Sequence, residues 1–313
     1  MTNLSEFTFL SSDGKTQLHG MLWEPEGVAV RAVLQICHGV AEHIARYDGF
    51  ARALNEQGIV VAGHDHLGHG KSLPEGGTPV YFGQGNTWNT VVDDIYVLHQ
   101  RLKQRYPDVQ LCIMGHSMGS FLTRTYLIRY PGTVKAAVIM GTGWQPQAAI
   151  TGGLALANAI AAVSGENATS ELVTELAFGS YNKLFAPNRT KVDWLSADES
   201  NVDDYIADPL CGADATVGLF RQMLHGIRFN QRQSHLRQMD REMPVLFVAG
   251  DKDPVGNCGK GVRQTYDAFR AAGMRDCTLK LYPGLRHEIL NEKAYTADIT
   301  KNIEAWLLSR LEK

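Results

Sequence analysis

The sequence predicts an α/β protein with a mostly parallel β-sheet that is covered by helices on both faces. Two observations carry this prediction: short continuous apolar runs recur along the chain, and amphipathic helical patterns lie between them. A short unbroken apolar run is typical of a strand that is buried on both faces, as in the centre of a parallel sheet. Parallel neighbours need long crossover connections, which the helical patterns supply.

The predicted strands begin with a hairpin at the N-terminus. Residues 8–10 and 18–23 flank the turn signal Ser12-Asp13-Gly14, which favours an antiparallel pair. Six apolar runs follow, and they span residues 32–37, 59–62, 111–114, 136–140, 245–249 and 278–282. The last run is the least apolar, so we expect it near an edge of the sheet.

The helical patterns have apolar residues three and four positions apart, as on the buried face of an amphipathic helix. Their apolar positions are Val91, Ile95, Leu98 and Leu102 in one pattern and Ile299, Ile303, Trp306 and Leu307 in another. These two patterns are predicted to cover the sheet.

The alternation of strands and helices stops between about residues 143 and 242. This stretch favours several helices, one of which has its apolar face at Val217, Phe220, Leu224 and Ile227. An insertion at the carboxyl end of a strand is expected to cover the active site of such a sheet. We therefore predict a core of residues 1–143 and 243–313, with residues 144–242 as a helical cap, or lid.

Composition and charge exclude several classes of function. The 313 residues suit one large domain with an insertion, and 44% hydrophobic with 20% charged residues is typical of a globular enzyme. The net charge of −3 gives no electrostatic basis for binding nucleic acid or an anionic membrane surface.

The cysteines and the N-terminus favour a cytoplasmic location. The five cysteines are widely spaced and form no Cys-x-x-Cys pair, so neither a zinc knuckle nor a disulfide framework is predicted. The N-terminus lacks the basic and then apolar pattern of a signal peptide.

Residues 136–165 contain no charged side chain and come nearest to a membrane segment. Glycines and a proline interrupt them, and their last apolar stretch, 148–163, is shorter than the ~20 residues that span a bilayer. We predict a strand followed by a lid helix. Transient contact of the lid with a membrane is the alternative.

A Gly-x-Ser-x-Gly motif occupies residues 115–119, with Ser117 at its centre. It directly follows the predicted strand 111–114 and precedes a helical stretch at 121–129, which is the setting of a nucleophile elbow. There the hydroxyl is exposed above the sheet, at a helix N-terminus that favours developing negative charge. We predict Ser117 as a nucleophile, and the alternative is a serine in an ordinary tight turn.

A serine hydroxyl needs a base to remove its proton. Among the eleven histidines, His287 lies in a turn-rich loop after the last predicted strand, where ligand-facing residues of a parallel sheet belong. The acid should precede it at another strand end, and both Asp251 and Asp253 follow the run 245–249. Asp253 lies further into its loop, whereas Asp251 suits a turn-stabilising role.

Two backbone N–H groups are needed to stabilise a tetrahedral intermediate. We assign one to Met118, next to the nucleophile, and the other to Val40, in the loop after the run 32–37. Gly39 in this loop lets the backbone approach a substrate closely. His38 is predicted to support the loop by hydrogen bonds.

The cluster of His64, Asp65, His66 and His69 raises a metal site as an alternative. Its order matches no familiar two-metal hydrolase motif, and the glycines that follow favour a structured turn at a strand end. We therefore predict neither a metal nor a cofactor.

These segments together resemble the monoacylglycerol lipase and lysophospholipase-like branch of the α/β-hydrolase superfamily. The matching stretches are residues 38–47, 65–72, 115–119, 250–253 and 282–288. The resemblance implies a triad of Ser117, Asp253 and His287, and so favours Asp253 over Asp251. It also implies the Val40 and Met118 amides as oxyanion donors, and an eight-stranded sheet with a helical lid after strand six.

We therefore expect a serine hydrolase that cleaves carboxylic esters of a lipid-like monoacyl substrate, a monoacylglycerol or lysophospholipid, through an acyl-enzyme. The alternatives are a short-chain carboxylesterase, a peptidase and a non-catalytic ligand-binding member of the fold. Oligomeric state is not predicted.

Two sets of side chains in the cap bear on the substrate. Aromatic residues are predicted to form mostly cap core, or else to line an acyl pocket; they are Trp144, Phe178, Tyr181, Phe185, Trp194, Tyr205 and Phe220. Basic residues on one helical face are predicted to be solvated, or else to meet a phosphate headgroup; they are Arg221, His225, Arg228 and Arg232.

Overall fold

An eight-stranded sheet forms the centre of the protein in the computed structural model, which describes residues 1–311. The strands are β1 (Thr2–Leu10), β2 (Gln17–Pro25), β3 (Ala32–Cys37), β4 (Ile59–His64), β5 (Gln110–His116), β6 (Ala136–Met140), β7 (Val245–Gly250) and β8 (Cys277–Tyr282). Their spatial order is β1-β2-β4-β3-β5-β6-β7-β8. Pairing is antiparallel for β1 with β2 and for β2 with β4, and parallel from β4 to β8. The predicted mostly parallel sheet of eight strands is confirmed, with β8 at its edge.

Strand β1 is longer than the sequence prediction of residues 8–10. It pairs with β2 along nine residues, from Thr2 opposite Pro25 to Leu10 opposite Gln17. Most of its side chains are exposed. The strand is therefore held by its backbone ladder, and ladder hydrogen bonds leave no apolar run in the sequence.

The sheet is covered on both faces. The helices are α1 (Asp48–Asn55), α2 (Thr87–Arg105), α3 (Met118–Arg129), α4 (Gln147–Ser164), α5 (Glu171–Thr174), α6 (Ser180–Lys183), α7 (Glu199–Ala207), α8 (Val217–Asn230), α9 (Gln233–Leu236), α10 (Lys260–Ala271) and α11 (Thr296–Leu311). Adjacent residues of β3, Val33 and Leu34, are both fully buried and belong to separate hydrophobic clusters. The cluster around Leu34 includes α1 and α11, and the one around Val33 includes α2, α3 and α10.

The two predicted helical patterns coincide with α2 and α11. All four apolar positions in α2 are buried. In α11, Ile299, Ile303 and Leu307 are buried, while Trp306 is half-buried and donates its indole N–H to Thr278 Oγ1 at 3.2 Å. The patterns therefore mark the faces that these helices turn to the sheet.

Helices α4 to α9 all lie between β6 and β7. Within this segment α4 packs along α8, and α8 packs against α3, the helix that follows the Gly-x-Ser-x-Gly motif. Val217, Phe220 and Ile227 of α8 are buried and Leu224 is half-buried. The chain is thus helical in the region where the sequence predicts helices, at the carboxyl end of β6.

Helix α4 covers the apolar stretch 148–163, where the sequence predicts a helix after the strand. It continues through Gly152 and Gly153 and ends before Gly165, whose φ is +87°. Among residues 1–311 it is the one helix long and apolar enough, by length and composition, to cross a membrane. Only 17% of its 18 residues are buried, since it contacts the protein through Ile150, Leu154 and Ala157.

Candidate active site

Ser117 occupies a strained turn between β5 and α3. Its φ of 54° and ψ of −123° lie in a region that residues other than glycine rarely adopt. A Cβ added to Gly115 would lie 2.2 Å from Gly119 O, and one added to Gly119 would lie 2.0 Å from Cys37 O. Only glycine therefore fits on either side of the serine. This is the geometry of a nucleophile elbow.

The loop after β3 lies directly beside Ser117. A Cβ added to Gly39 would be 3.0 Å from the Ser117 Cβ, and Ala41 has a φ of 53°. Val40 lies between these two residues. Met118 is the first residue of α3, so its N–H is one of four that lack an acceptor within the helix. The structure thus places both predicted oxyanion residues next to the serine, while their role remains a prediction.

The loops after β7 and β8 bring an aspartate and a histidine together. His287 Nδ1 lies 3.0 Å from Asp253 Oδ1, and both side chains are buried. The Val255 N–H also donates to Asp253 Oδ1, at 2.9 Å. Asp251, the other acid that the sequence left open, instead accepts the Gly284 N–H at 2.8 Å near the surface. The fold therefore pairs His287 with Asp253 and gives Asp251 a loop-joining role.

His287 lies over the ends of β5 and β6, next to the serine turn. The Ser117 N–H donates to Met140 O at the end of β6, at 3.1 Å. A Cβ added to the next residue, Gly141, would lie 3.1 Å from His287 Cε1. Since Asp253 engages Nδ1, His287 Nε2 is the nitrogen left for the serine. The role of His287 as the base for Ser117 stays a prediction.

A buried ionic network that the sequence reasoning missed joins the two sides of the site. Glu42 Oε1 accepts the Gly39 N–H at 2.5 Å and lies 3.2 Å from His116 Nδ1, while Oε2 accepts from Arg46 at 2.9 Å. Arg46 also donates to both oxygens of Glu288, at 2.6 and 2.8 Å. The network therefore fastens the loop of Val40 to the loop of His287. Its sequence signal was the i,i+4 spacing of Glu42 and Arg46, and the position of Glu288 directly after His287.

The charges of this network stabilise one another. Burial raises the pKa of the Glu42 carboxyl, but hydrogen bonding to His116 and the Arg46 charge outweigh it and hold this pKa well below the usual range. Burial likewise raises the pKa of Glu288, and the Arg46 guanidinium outweighs it, so the net pKa is lowered. Burial lowers the pKa of His116, yet Glu42 raises it above the usual value. Both carboxylates are therefore charged at neutral pH.

Asp65 and His69, two of the four residues that suggested a metal site, make hydrogen bonds that organise the loop after β4. Asp65 Oδ1 accepts the Ile44 N–H at 2.8 Å, and Oδ2 accepts the Lys71 N–H and lies near His19 Nδ1, both at 2.9 Å. His38 Nδ1 donates to Gly39 O at 2.7 Å, as expected of a residue that supports this loop.

Three side chains of the types that bind metal ions lie close together elsewhere in residues 1–311. His43, Asp208 and Cys211 have ligand atoms within 4.8 Å of one another. His43 Nε2 lies 2.8 Å from Asp208 Oδ2, so a hydrogen bond already joins two members of this group. It links the loop after β3 to the end of α7.

Aromatic side chains of the segment between β6 and β7 reach the histidine. The Trp194 ring lies 5.1 Å from that of His287, measured between centroids. Phe178 is 6.2 Å from Trp194 and 5.4 Å from Phe220, and Tyr181 is 5.2 Å from Trp194. These rings form a continuous apolar cluster beside the site.

Other aromatic residues of the segment contact the loops of the site. The Tyr205 hydroxyl donates to Ala41 O at 3.0 Å, and the Arg286 guanidinium lies 4.0 Å from the Phe185 ring. Trp144 is half-buried directly beyond β6. Tyr205 and Phe185 thus hold the segment against both sides of the site.

The chain is similar to known proteins over most of its length. Residues 28–294 match the family described as serine aminopeptidase, S33. The chain is 30% identical over 312 residues to a monoacylglycerol lipase of Mycolicibacterium smegmatis, covering 98% of each protein. It is 28% identical to the mouse monoglyceride lipase, covering 96% of this chain and 90% of that one.

A solved structure shares the whole architecture. A thermostable carboxyl esterase from Bacillus coagulans, solved in complex with glycerol, superposes with a TM-score of 0.92 at 26% identity and covers 99% of this chain and 100% of that chain. The fold, the match over residues 28–294 and the full-length relatives all agree. The chain belongs to the serine aminopeptidase S33 family of α/β-hydrolases, in its monoacylglycerol lipase-like branch.

Proposed function

We propose that this protein is a serine hydrolase that cleaves carboxylic esters of lipid-like monoacyl substrates, a monoacylglycerol or a lysophospholipid. The observation that carries the proposal is the buried Asp253–His287 pair beside the strained turn of Ser117. The relatives named monoacylglycerol lipase and monoglyceride lipase support the substrate class.

The proposed reaction passes through an acyl-enzyme. Ser117 Oγ attacks the ester carbonyl carbon while His287 Nε2 removes the hydroxyl proton, and Asp253 holds the Nδ1–H tautomer of the histidine. The Val40 and Met118 N–H groups donate to the oxyanion of the tetrahedral intermediate. This intermediate expels the alcohol, which takes the proton from His287. Water, deprotonated by the same histidine, then attacks the acyl-enzyme, and the histidine returns the proton to Ser117 Oγ as the carboxylic acid is released.

We assign the acyl chain to the aromatic cluster around Trp194 and Phe178, and the role of a lid to residues 144–242. The cluster supports this assignment because it offers an apolar surface that begins at His287. Each CH₂ group that a substrate buries there contributes about 0.8 kcal/mol, or about fourfold in affinity.

The exposed apolar surface of α4 supports transient contact between the lid and a lipid surface. Val163 near its end is 89% exposed, and few of its residues face the protein. We also propose a cytoplasmic location, which is supported by the five free cysteines.

The test is hydrolysis of p-nitrophenyl esters from acetate to palmitate, together with a monoacylglycerol and lysophosphatidylcholine. Ser117→Ala should lose about 10⁴-fold or more of kcat, because the nucleophile is gone. Ser234→Ala, at an exposed position of α9, is the matched control and should retain full activity. Activity that survives in Ser117→Ala would refute the serine mechanism.

A short-chain carboxylesterase is the second candidate, because the carboxyl esterase from Bacillus coagulans superposes so closely. The acyl series separates the two functions. If kcat/KM rises with chain length, the apolar cluster binds the acyl group. If it falls steadily beyond about four carbons, no extended acyl pocket is in use and the shorter esters are the substrates.

The remaining alternatives have their own readouts. A non-catalytic member would not be labelled at Ser117 by a fluorophosphonate, which reacts only with an activated serine. A peptidase would release p-nitroaniline from aminoacyl anilides faster than it cleaves esters.

A further inference from the structure

A groove of about 440 Å³ lies between α8 and the start of α2, apart from the candidate active site. Its basic lining residues are Arg221, His225, Arg228 and Arg232, and within residues 1–311 no aspartate or glutamate lines it. Ser117, Asp253 and His287 are not among its lining residues.

The packing of α8 against α2 builds this groove. The four basic residues recur at i, i+4, i+7 and i+11, and the sequence predicts a solvated face for them. Instead, this side of α8 adjoins the first turn of α2, where a Cβ on Gly226 would lie 2.1 Å from the Trp88 indole. Gln222 Nε2 donates to Gly85 O, just before α2 begins. Arg221, His225 and Arg228 on α8 are therefore half-buried, while Arg232, which follows the end of α8 at Asn230, is exposed.

Positive charge accumulates along the groove. Arg221 pairs with Glu166 at 2.5 Å, whereas neither Arg228 nor Arg232 is paired with a carboxylate within residues 1–311. Burial, and then the charges of Arg228 and Arg221, lower the pKa of His225. The neutral imidazole then accepts from Arg228 at 3.1 Å through Nδ1. Two guanidinium groups are thus left for an anion.

The start of α2 adds to the positive electrostatic potential of the groove. The helix is 19 residues long, and its cap residue Asn86, which lines the groove, makes no side-chain cap bond. The first N–H groups of a helix lack intrahelical acceptors and carry the positive end of the helix dipole, a setting that favours phosphate. Guanidinium groups bind phosphate oxygens through paired, charge-assisted hydrogen bonds.

The groove adjoins the exposed apolar surface of α4. Asn158 of α4 lines it, and α4 packs along α8. Only 17% of α4 is buried, so an apolar helix surface and an anion-attracting groove lie side by side. A phospholipid bilayer is complementary to this surface, because its headgroup phosphates lie beside an apolar layer.

We propose that this groove binds the phosphate of an anionic phospholipid headgroup while α4 rests on the adjoining apolar layer. The net charge of −3 conceals this local cluster of basic residues. A soluble phosphate ester offers the same chemistry, and the bilayer is favoured because α4 supplies the second, apolar contact. The inference does not depend on the reaction at Ser117.

The test is sedimentation of the full chain with vesicles of phosphatidylcholine, with and without phosphatidylglycerol. Arg228→Gln/Arg232→Gln should bind the phosphatidylglycerol vesicles about 25-fold more weakly, because each basic residue near an anionic surface adds about fivefold. The matched control is Lys260→Gln/Arg263→Gln on α10, which removes the same charge outside the groove and should bind as the wild type does. High salt should weaken wild-type binding.

Other outcomes overturn the proposal. Equal losses in the two double variants would show a general charge effect. If the wild type ignores both kinds of vesicle but glycerol 3-phosphate binds and is lost with Arg228→Gln/Arg232→Gln, the groove serves a soluble phosphate. Circular dichroism reports on folding, and p-nitrophenyl butyrate hydrolysis reports on the active site. Because vesicle binding is measured separately, it can be interpreted even if the proposed esterase activity is not found.

Discussion

Arg46→Met should destabilise the protein because it leaves two buried carboxylates without their shared cation. The Arg46 side chain is only 10% exposed, and its partners Glu42 and Glu288 are 5% and 3% exposed. Methionine approximates the volume of the arginine stem and keeps the packing. The substitution therefore isolates the loss of charge.

The expected loss is about 3–5 kcal/mol of the free energy of unfolding at neutral pH, as found when one partner of a buried ion pair is removed. Arg52→Met is the matched control. Arg52 has the same i,i+4 spacing to a carboxylate, Asp48, but both side chains are more than 40% exposed. Exposed pairs of this kind contribute little, so the control should unfold like the wild type.

The loss should depend on pH in a defined direction. In the wild type Arg46 holds the pKa of Glu288 below its usual range against the effect of burial. Without Arg46, burial should raise the folded-state pKa of Glu288 above the unfolded value. Such groups stabilise the fold below the unfolded pKa and lose that contribution as pH rises through the folded pKa. The loss of unfolding free energy in Arg46→Met, relative to the wild type, should therefore become smaller as the pH is lowered from 7 towards 5.

Urea denaturation of the wild type and both variants at pH 7 and pH 5 measures these effects through the midpoint and the m-value. Equal midpoints for Arg46→Met and Arg52→Met at pH 7 would refute the reasoning, since burial would then make no difference. A deficit that grows at pH 5 would contradict the assigned direction of the carboxyl pKa shift.

Three further predictions test the site and the fold. Asp253→Asn should lower kcat by about 10⁴-fold because the tautomer of the histidine is lost, while Asp251→Asn should keep kcat within a few-fold; steady-state ester hydrolysis compares them, and equal losses would remove the assignment. Gly119→Ala should abolish folded, active protein because its Cβ would lie 2.0 Å from a carbonyl oxygen, whereas Gly152→Ala, with no atom within 4 Å, should raise stability by up to about 1 kcal/mol in thermal denaturation. Burial raises the pKa of Asp94 to about 6, so the wild type should lose stability as pH rises through that value. Relative to Asp94→Asn the loss should reach about 2–3 kcal/mol between pH 4 and pH 7 in urea denaturation, and a difference that does not vary with pH would contradict it.

The sequence predicted the elements whose cause is local. Short apolar runs such as 32–37 and 245–249 became strands because a buried strand needs apolar side chains on both faces. The serine turn was recognisable because the Gly-x-Ser-x-Gly motif at residues 115–119 directly follows an apolar run and precedes a helical stretch. The prediction fell short at β1, which depends on a backbone ladder.

Contacts between distant segments were decided by the tertiary structure alone. Asp251 and Asp253 are equivalent by residue type, and only the relative placement of the β7 and β8 loops brings one of them to His287. Arg46 and Glu288 are 242 residues apart and meet because the carboxyl ends of parallel strands share one edge of the sheet.

The α/β class, the alternation of strands and helices and the residue types of the site could be predicted from the sequence, because each follows from patterns within one element. The contacts themselves are seen only in the folded chain: His287 lies next to Asp253, Glu42 and Arg46 join two loops beside the site, and basic residues of α8 border a groove. These features depend on charges and backbones that approach each other through space, and their energies are set by burial that no single segment of the chain encodes.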